Sequence, residues 1–260
     1  MKRLVVISDT HCGHQLGLTH PNYDVEPSKN STEYELFKLR RKYYSLYKAT
    51  IESLKPIDIL LVNGDTIDGR GEKSGGTELL RSDRNVQVAM AAAIINDCQA
   101  DKIVMSYGTP YHTGDAEDYE DQLADKVKAL EINGHGFLDI DGLIIDYKHK
   151  VGSSSVPYGR YTQIAKEKVW NSLWAEFDEV PNSDVTIRSH VHYFGYAGRY
   201  GWLGVTTPAL QGHGTKYGER QMSGTTDWGL IHFDIEAKGE YTWTHHIFKP
   251  KKSRVVATKL

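Results

Sequence analysis

The strongest constraint on this chain is the place where its short apolar runs stop. Residues 4–7, 57–62 and 102–105 are rich in β-branched residues and leucine, and each gives way within a few positions to Asp, Gly or His. Runs without polar alternation read as strands buried on both faces, as in parallel sheets covered by helices. The segments between them carry helical spacing. Thr32 and Glu35 form a capping-box pair, after which Leu36, Leu39, Tyr43, Leu46, Tyr47 and Ile51 recur at threes and fours until Pro56. Residues 77–97 and 117–130 repeat the pattern, so the first half reads as a βαβαβα series.

The second half changes character. Residues 136–140 and 143–147 flank Asp141-Gly142, a dipeptide suited to a type I′ hairpin. A further helix is expected over 161–177, and strands over 184–187, 193–200, 202–206, 229–235 and 241–247. The 260 residues suit a single domain over 1–250, followed by a basic, weakly ordered tail at 251–260. Two cysteines exclude a disulfide-framed secreted fold and suit a reducing, cytoplasmic setting. No leader or membrane span is expected, since no apolar run approaches about 18 residues. Formal charge is −3, which argues against a protein that grips duplex phosphates over a broad face.

Chemistry is written at the strand ends, where open α/β sheets gather their ligands. Asp9 and His11 follow the first strand, and Asp65 and Asp68 the second. Thr109 and His112 follow the third. His149 ends a later strand, and His190 and His192 follow another. A divalent cation needs several carboxylate or imidazole donors drawn from separated segments. The i, i+2 spacing of Asp9-Thr10-His11 and His190-Val191-His192 places each pair on one side of an extended segment. Mn²⁺, Fe or Zn²⁺ suits such a nitrogen and oxygen set.

In this order, Asp9-x-His11 with Gly13, Gly64-Asp65-x-x-Asp68, a glycine loop with His112, then His149, then His190-x-His192 resemble the motifs of the calcineurin-like metallophosphoesterases over about residues 4–195. The resemblance implies an α/β fold, a four-layer sandwich of two mixed β-sheets flanked by helices. It implies two divalent metals, with Asp9, His11 and His192 on the first, Asp65 bridging, and His149 and His190 on the second. It also implies phosphoester hydrolysis, in which a metal-bridging hydroxide attacks phosphorus in line. His112 would be the proton donor, Asp68 would orient a ligand histidine, and Arg70 and Arg160 would meet substrate.

The loop Gly108-Thr109-Pro110-Tyr111-His112 departs from the family's Gly-Asn-His pattern and resembles phage-encoded members, which would place the protein in a host cytoplasm. Either Thr109 or a water replaces the amide ligand, or His112 is itself a ligand. Ser189 stands where the family has glycine. The substrate reading leans to a phosphodiester in a nucleotide or nucleic acid. The alternatives are a phosphomonoesterase and a binding module with a decayed second metal site. Residues 12–31 and 151–160 are expected to overhang the metals. Lys148, Lys150, Arg160 and Arg188 are a local basic supply, and Tyr193, Phe194, Tyr196 and Trp202 are either base-stacking or core. Cys12 reads as a small filler.

Overall fold

The computed structural model describes residues 1–31, 33–114, 118–215 and 225–249. Thr32 of the expected capping box and the expected tail at 251–260 lie outside the described residues.

Four parallel strands open the first sheet: β1 (Lys2–Ile7), β2 (Ile59–Asn63), β3 (Lys102–Ser106) and β4 (Glu131–Asn133). Two antiparallel strands, β10 (Trp228–Ile235) and β11 (Tyr241–Phe248), complete it on the β1 side. The second sheet is also mixed. Its order is β5 (Gly136–Ile140), β6 (Leu143–Tyr147), β7 (Val185–Arg188), β9 (Trp202–Thr206) and β8 (Gly195–Arg199). Asp141 and Gly142 both take positive φ, as the β5–β6 hairpin requires.

β1 is buried on both faces, and this sets the layers. Leu4 and Val6 pack with Leu61, Ile145, Val185 and Phe233 between the sheets. Val5 and Ile7 face the helices α1 (Glu33–Leu54), α2 (Arg84–Asn96) and α4 (Tyr119–Val127). On the far side, α5 (Arg160–Glu176) covers the second sheet. These are the four layers the resemblance implies.

Most expected elements are present, and the departures have local causes. α2 starts at Arg84, not near 77, because Asp83 caps it and the segment before it bonds elsewhere. The Leu80 and Arg81 amides donate to the Gly13 carbonyl. The four-residue helix α3 (Pro110–Thr113) and the strand β4 are both too short for a periodic signal. Residues 12–19 are not an overhang, since Cys12, Leu16 and Leu18 lie in the core beneath α1.

Arg188, expected to add to a local basic supply, is only 1% exposed. It grips Asp146 with two nitrogens at 2.7 and 3.1 Å and reaches Glu167 of α5 at 2.8 Å. The pair ties the helix to β6. Removing one partner strands the other charge, so Arg188→Leu should cost about 3–5 kcal/mol in denaturant unfolding. Arg188→Leu with Asp146→Leu should recover most of that loss. Equal destabilisation by the single and double changes would contradict the pairing.

Candidate metal centre

The two sheets meet at the ends of β1, β2, β3, β7 and β9 through a buried chain of polar side chains. Ser8 and Ser189 each bond Thr207, at 2.8 and 2.7 Å. Asn63 donates to Ser189 at 2.6 Å and accepts from Ser106 at 2.7 Å. Ser189 therefore has a task here that glycine could not perform.

Above this chain the backbone turns sharply. Ten described non-glycine residues have left-handed φ, and Asp9, His11, Asp65, His190 and His192 are five of them. Each costs about 1–3 kcal/mol unless its surroundings fix it, and such strain collects at functional sites. The turns swing the donors toward one another. Asp9, His11 and His192 place ligand atoms within 4.8 Å of one another, as do Asp65, His149 and His190, and also His11, Asp65 and His112. Asp65 and His11 are each shared by two of these trios. The protein thus brings together eight of the residues singled out from the sequence, seven in the trios and Asp68 beside His11.

Individual contacts set the orientation of each donor. His11 Nδ1 lies 3.1 Å from Asp68, which turns Nε2 inward to 3.3 Å from His192 Nε2. His149 Nδ1 donates to the Asn63 carbonyl at 2.7 Å, leaving Nε2 free to face Asp65 at 3.0 Å. A carbonyl or carboxylate behind a ring is how ligand histidines are held. Gly64 and Gly108 permit the close approach: a Cβ at Gly64 would fall 2.6 Å from the His149 ring, and one at Gly108 would overlap Asp65.

The residues fit a cation. Asp9 Oδ1 and His149 Nε2 are buried without a well-directed hydrogen bond, their polar neighbours being other donors of the cluster (His192 at 3.2 Å and Asp65 at 3.0 Å), and they lie 4.0 Å apart. Such orphans are costly in a protein interior. Donor spacings of 3.2 Å (Asp9 to His192) and 3.3 Å (His11 to His192) suit ligands each about 2 Å from one ion.

The Thr109 amide and hydroxyl both donate to Asp65 Oδ1, at 2.6 and 3.0 Å. They hold the shared carboxylate from behind. His112 hydrogen-bonds the Asp68 carbonyl at 3.0 Å and sets its ring edge-on to His11, with centroids 4.5 Å apart.

Two positioning residues escape a reading of the sequence. Glu120 of α4 is fully buried and accepts from the Thr66 amide and hydroxyl and from the Gly108 amide, tying the Asp65 turn to the Thr109 turn. Gln87 of α2 clamps Gly69 by accepting from its amide and donating to its carbonyl. Nothing in their helices' periodicity sets them apart from surface polar residues.

Other expectations do not reach the cleft. Arg70 is exposed between Gly69 and Gly71, both at positive φ, and does not line it. Arg160 stacks on Tyr193, 4.4 Å from the ring, and donates to Thr225. Trp202 is buried and donates to Thr186, while Tyr196 packs edge-on against Trp243. No residue of 151–160 lines the cleft, and His14 alone represents 12–31 there, among the described residues. Residues 211–215 and 71–78 supply the rim instead.

Electrostatics follow from burial. Burial would raise the Asp9 carboxyl, but His192 and His149 outweigh it and hold the group at about 2. Asp65 lies well below its ordinary value, because His149 overcomes the same cost of burial. Burial, with His112 beside it, pushes His11 down to about 4. His149 resists burial because Asp65 and Asp9 flank it, and it rises to about 10. Burial, with Asp65 nearby, pushes Glu120 up to about 7 against its three donors. Burial also raises the Cys12 thiol to about 12, so it is a filler, not a ligand at neutral pH.

No family model and no curated protein matches the chain. Among solved structures, the chain is similar to an archaeal phosphodiesterase at 13% identity and TM-score 0.45, covering 94% of this chain and 99% of that one. It is similar to zinc-complexed Vps29 of Entamoeba histolytica at 11% identity and TM-score 0.43, covering 95% and 99%. A protein of Streptococcus pneumoniae predicted to be a phosphoesterase aligns at 10% identity and TM-score 0.39, covering 94% and 98%. At these scores the likenesses decide nothing about the chemistry, which follows from the site's own residues.

A raised imidazole must lose its proton before it can ligate a cation. Below about pH 10 His149 carries that proton, and His192 is raised as well. Metal uptake should therefore release protons, and affinity for Mn²⁺ should climb by up to about tenfold per pH unit between pH 6 and 9. Calorimetry in buffers of different ionisation enthalpy reads both effects. An affinity independent of pH would contradict the pairing of His149 with Asp65.

Proposed function

We propose that the protein is a dinuclear metal-dependent phosphoester hydrolase that prefers diesters. One observation supports this above the rest: Asp9 Oδ1 and His149 Nε2, both buried and without a well-directed hydrogen bond, face the same space as Asp65. Asp9, His11 and His192 would hold one divalent ion, and His149 and His190 the other, with Asp65 shared between them. Mn²⁺, Fe or Zn²⁺ suits these donors. When bound, such ions supply an acidified water and withdraw charge from phosphoryl oxygens.

The remaining work belongs to the chain. Asp68 fixes the tautomer of His11, and Thr109 holds Asp65 so that both of its oxygens are placed. With its hydroxyl engaged on Asp65, Thr109 acts through that carboxylate. His112 stands at the mouth of the cleft, where it lines the openings on both sides. It donates a proton to the departing oxygen, a contribution on the order of 10²–10⁴ in rate. The two openings favour a diester, since each of its two arms finds its own exit from the central phosphate.

Mn²⁺-loaded protein should hydrolyse bis-p-nitrophenyl phosphate with a higher kcat/KM than p-nitrophenyl phosphate. His192→Ala should lose at least about 10²-fold in kcat while keeping its far-ultraviolet circular dichroism. Preference for the monoester would favour a phosphatase. Absence of turnover on either substrate, with His192→Ala indistinguishable from the parent, would make the protein a binding module.

A further inference from the structure

The opening on the His149 side is a recess of about 470 Å³, and its character differs from that of the metal cleft. The cleft is lined by Asp65, Asp68 and Glu78 among others. Among the described residues, no carboxylate lines the recess. Lys73, Lys148 and Lys150 do, with Tyr107 and Tyr111. His112 and His190 form the wall that the two spaces share.

None of the three lysines is in an ion pair among the described residues. Lys148 is half-buried while Lys73 and Lys150 are exposed, whereas the deeply buried cations are neutralised within the fold: Arg188 has Asp146 and Arg40 has Asp24. Lys73 lies over the Tyr111 ring, 4.5 Å from its centroid, and the Tyr111 hydroxyl accepts from the Lys73 amide at 2.7 Å. Asp121 accepts from the Tyr107 hydroxyl at 2.5 Å and keeps that ring at the rim. The lysines come from separate segments, one from the loop after β2 and two from either side of His149 after β6. Like charges gathered from distant parts of a chain repel one another unless an anion joins them.

We infer that this recess binds a second phosphate, carried on one arm of the diester whose central phosphate sits at the metals. The substrate class is thus an oligonucleotide-like phosphodiester, with a base or sugar against Tyr107 and Tyr111 and the neighbouring phosphate among Lys73, Lys148 and Lys150. Aromatic rings beside cations are the means by which single strands are held without sequence preference. This rests on the hydrolase reading above and narrows it, because a diester without a second phosphate leaves the lysines unused.

The test compares TpT with its two singly phosphorylated forms, pTpT and TpTp, on Mn²⁺-loaded full-length protein. One of the phosphorylated forms should show a kcat/KM on the order of 10-fold above TpT. Lys73→Ala with Lys150→Ala, both at exposed positions, should bring that ratio close to one, and Lys73→Arg with Lys150→Arg should restore it. Calorimetry on the corresponding methylphosphonate-linked dinucleotides, which are not cleaved, should show the same ratio in Kd. It should also show a shallower salt dependence in the alanine variant. If TpT and bis-p-nitrophenyl phosphate are hydrolysed but neither added phosphate improves kcat/KM or Kd, the recess proposal is overturned and the hydrolase reading stands. A preference that survives the alanine substitutions overturns it too, by placing the second phosphate elsewhere. Loss of turnover on every diester would strike the hydrolase reading itself.

Discussion

The buried chain of hydrogen bonds from Ser8 through Thr207, Ser189 and Asn63 to Ser106 is the constraint on which the site depends. It joins the two sheets at the one level where their strands end together, and every member is satisfied within it. A fully satisfied polar network is rigid, whereas a partly satisfied one is a liability. Here the rigidity has a use. Five donor residues rest on this platform in left-handed backbone, and a loose platform would let those turns relax and the carboxylates drift apart. The hydrophobic layer between the sheets supplies the stability that offsets the strain, since Leu4, Val6, Ile145 and Phe233 lie directly below.

Much of this was legible before any fold was known. β1, β5, β6 and β9 are apolar or alternating runs with clear turn residues at both ends, and such runs leave little choice of register. The donors were legible for a different reason: carboxylates and imidazoles crowd the ends of those runs, where a sheet delivers side chains to one edge. Orientation was not legible. Thr109 turns toward Asp65, and Arg188 turns inward to Asp146, and neither direction is encoded in residue type. Glu120 and Gln87 were hidden because a buried carboxylate or amide on an amphipathic helix has the same local pattern as an exposed one. Arg160 was misread because its aromatic neighbour in space, Tyr193, is distant in sequence.

The site is electrostatically divided. On one side of His112 and His190, carboxylates face the cleft and depress or raise their neighbours' proton affinities according to burial. On the other, unpaired ammonium groups face a recess free of carboxylates among the described residues. On the proposed reading, that division would give a phosphodiester a direction, with its central phosphate on the carboxylate-lined side and its neighbouring charge on the basic one. Neither half is large, and both depend on the same wall of imidazoles.

The most direct measurement is anomalous diffraction at the manganese edge from crystals grown with excess Mn²⁺. The account predicts two adjacent peaks sharing Asp65, one ringed by Asp9, His11 and His192 and the other by His149 and His190. Manganese absent from this cluster, with Asp9 and His149 retaining their present spacing, would contradict it.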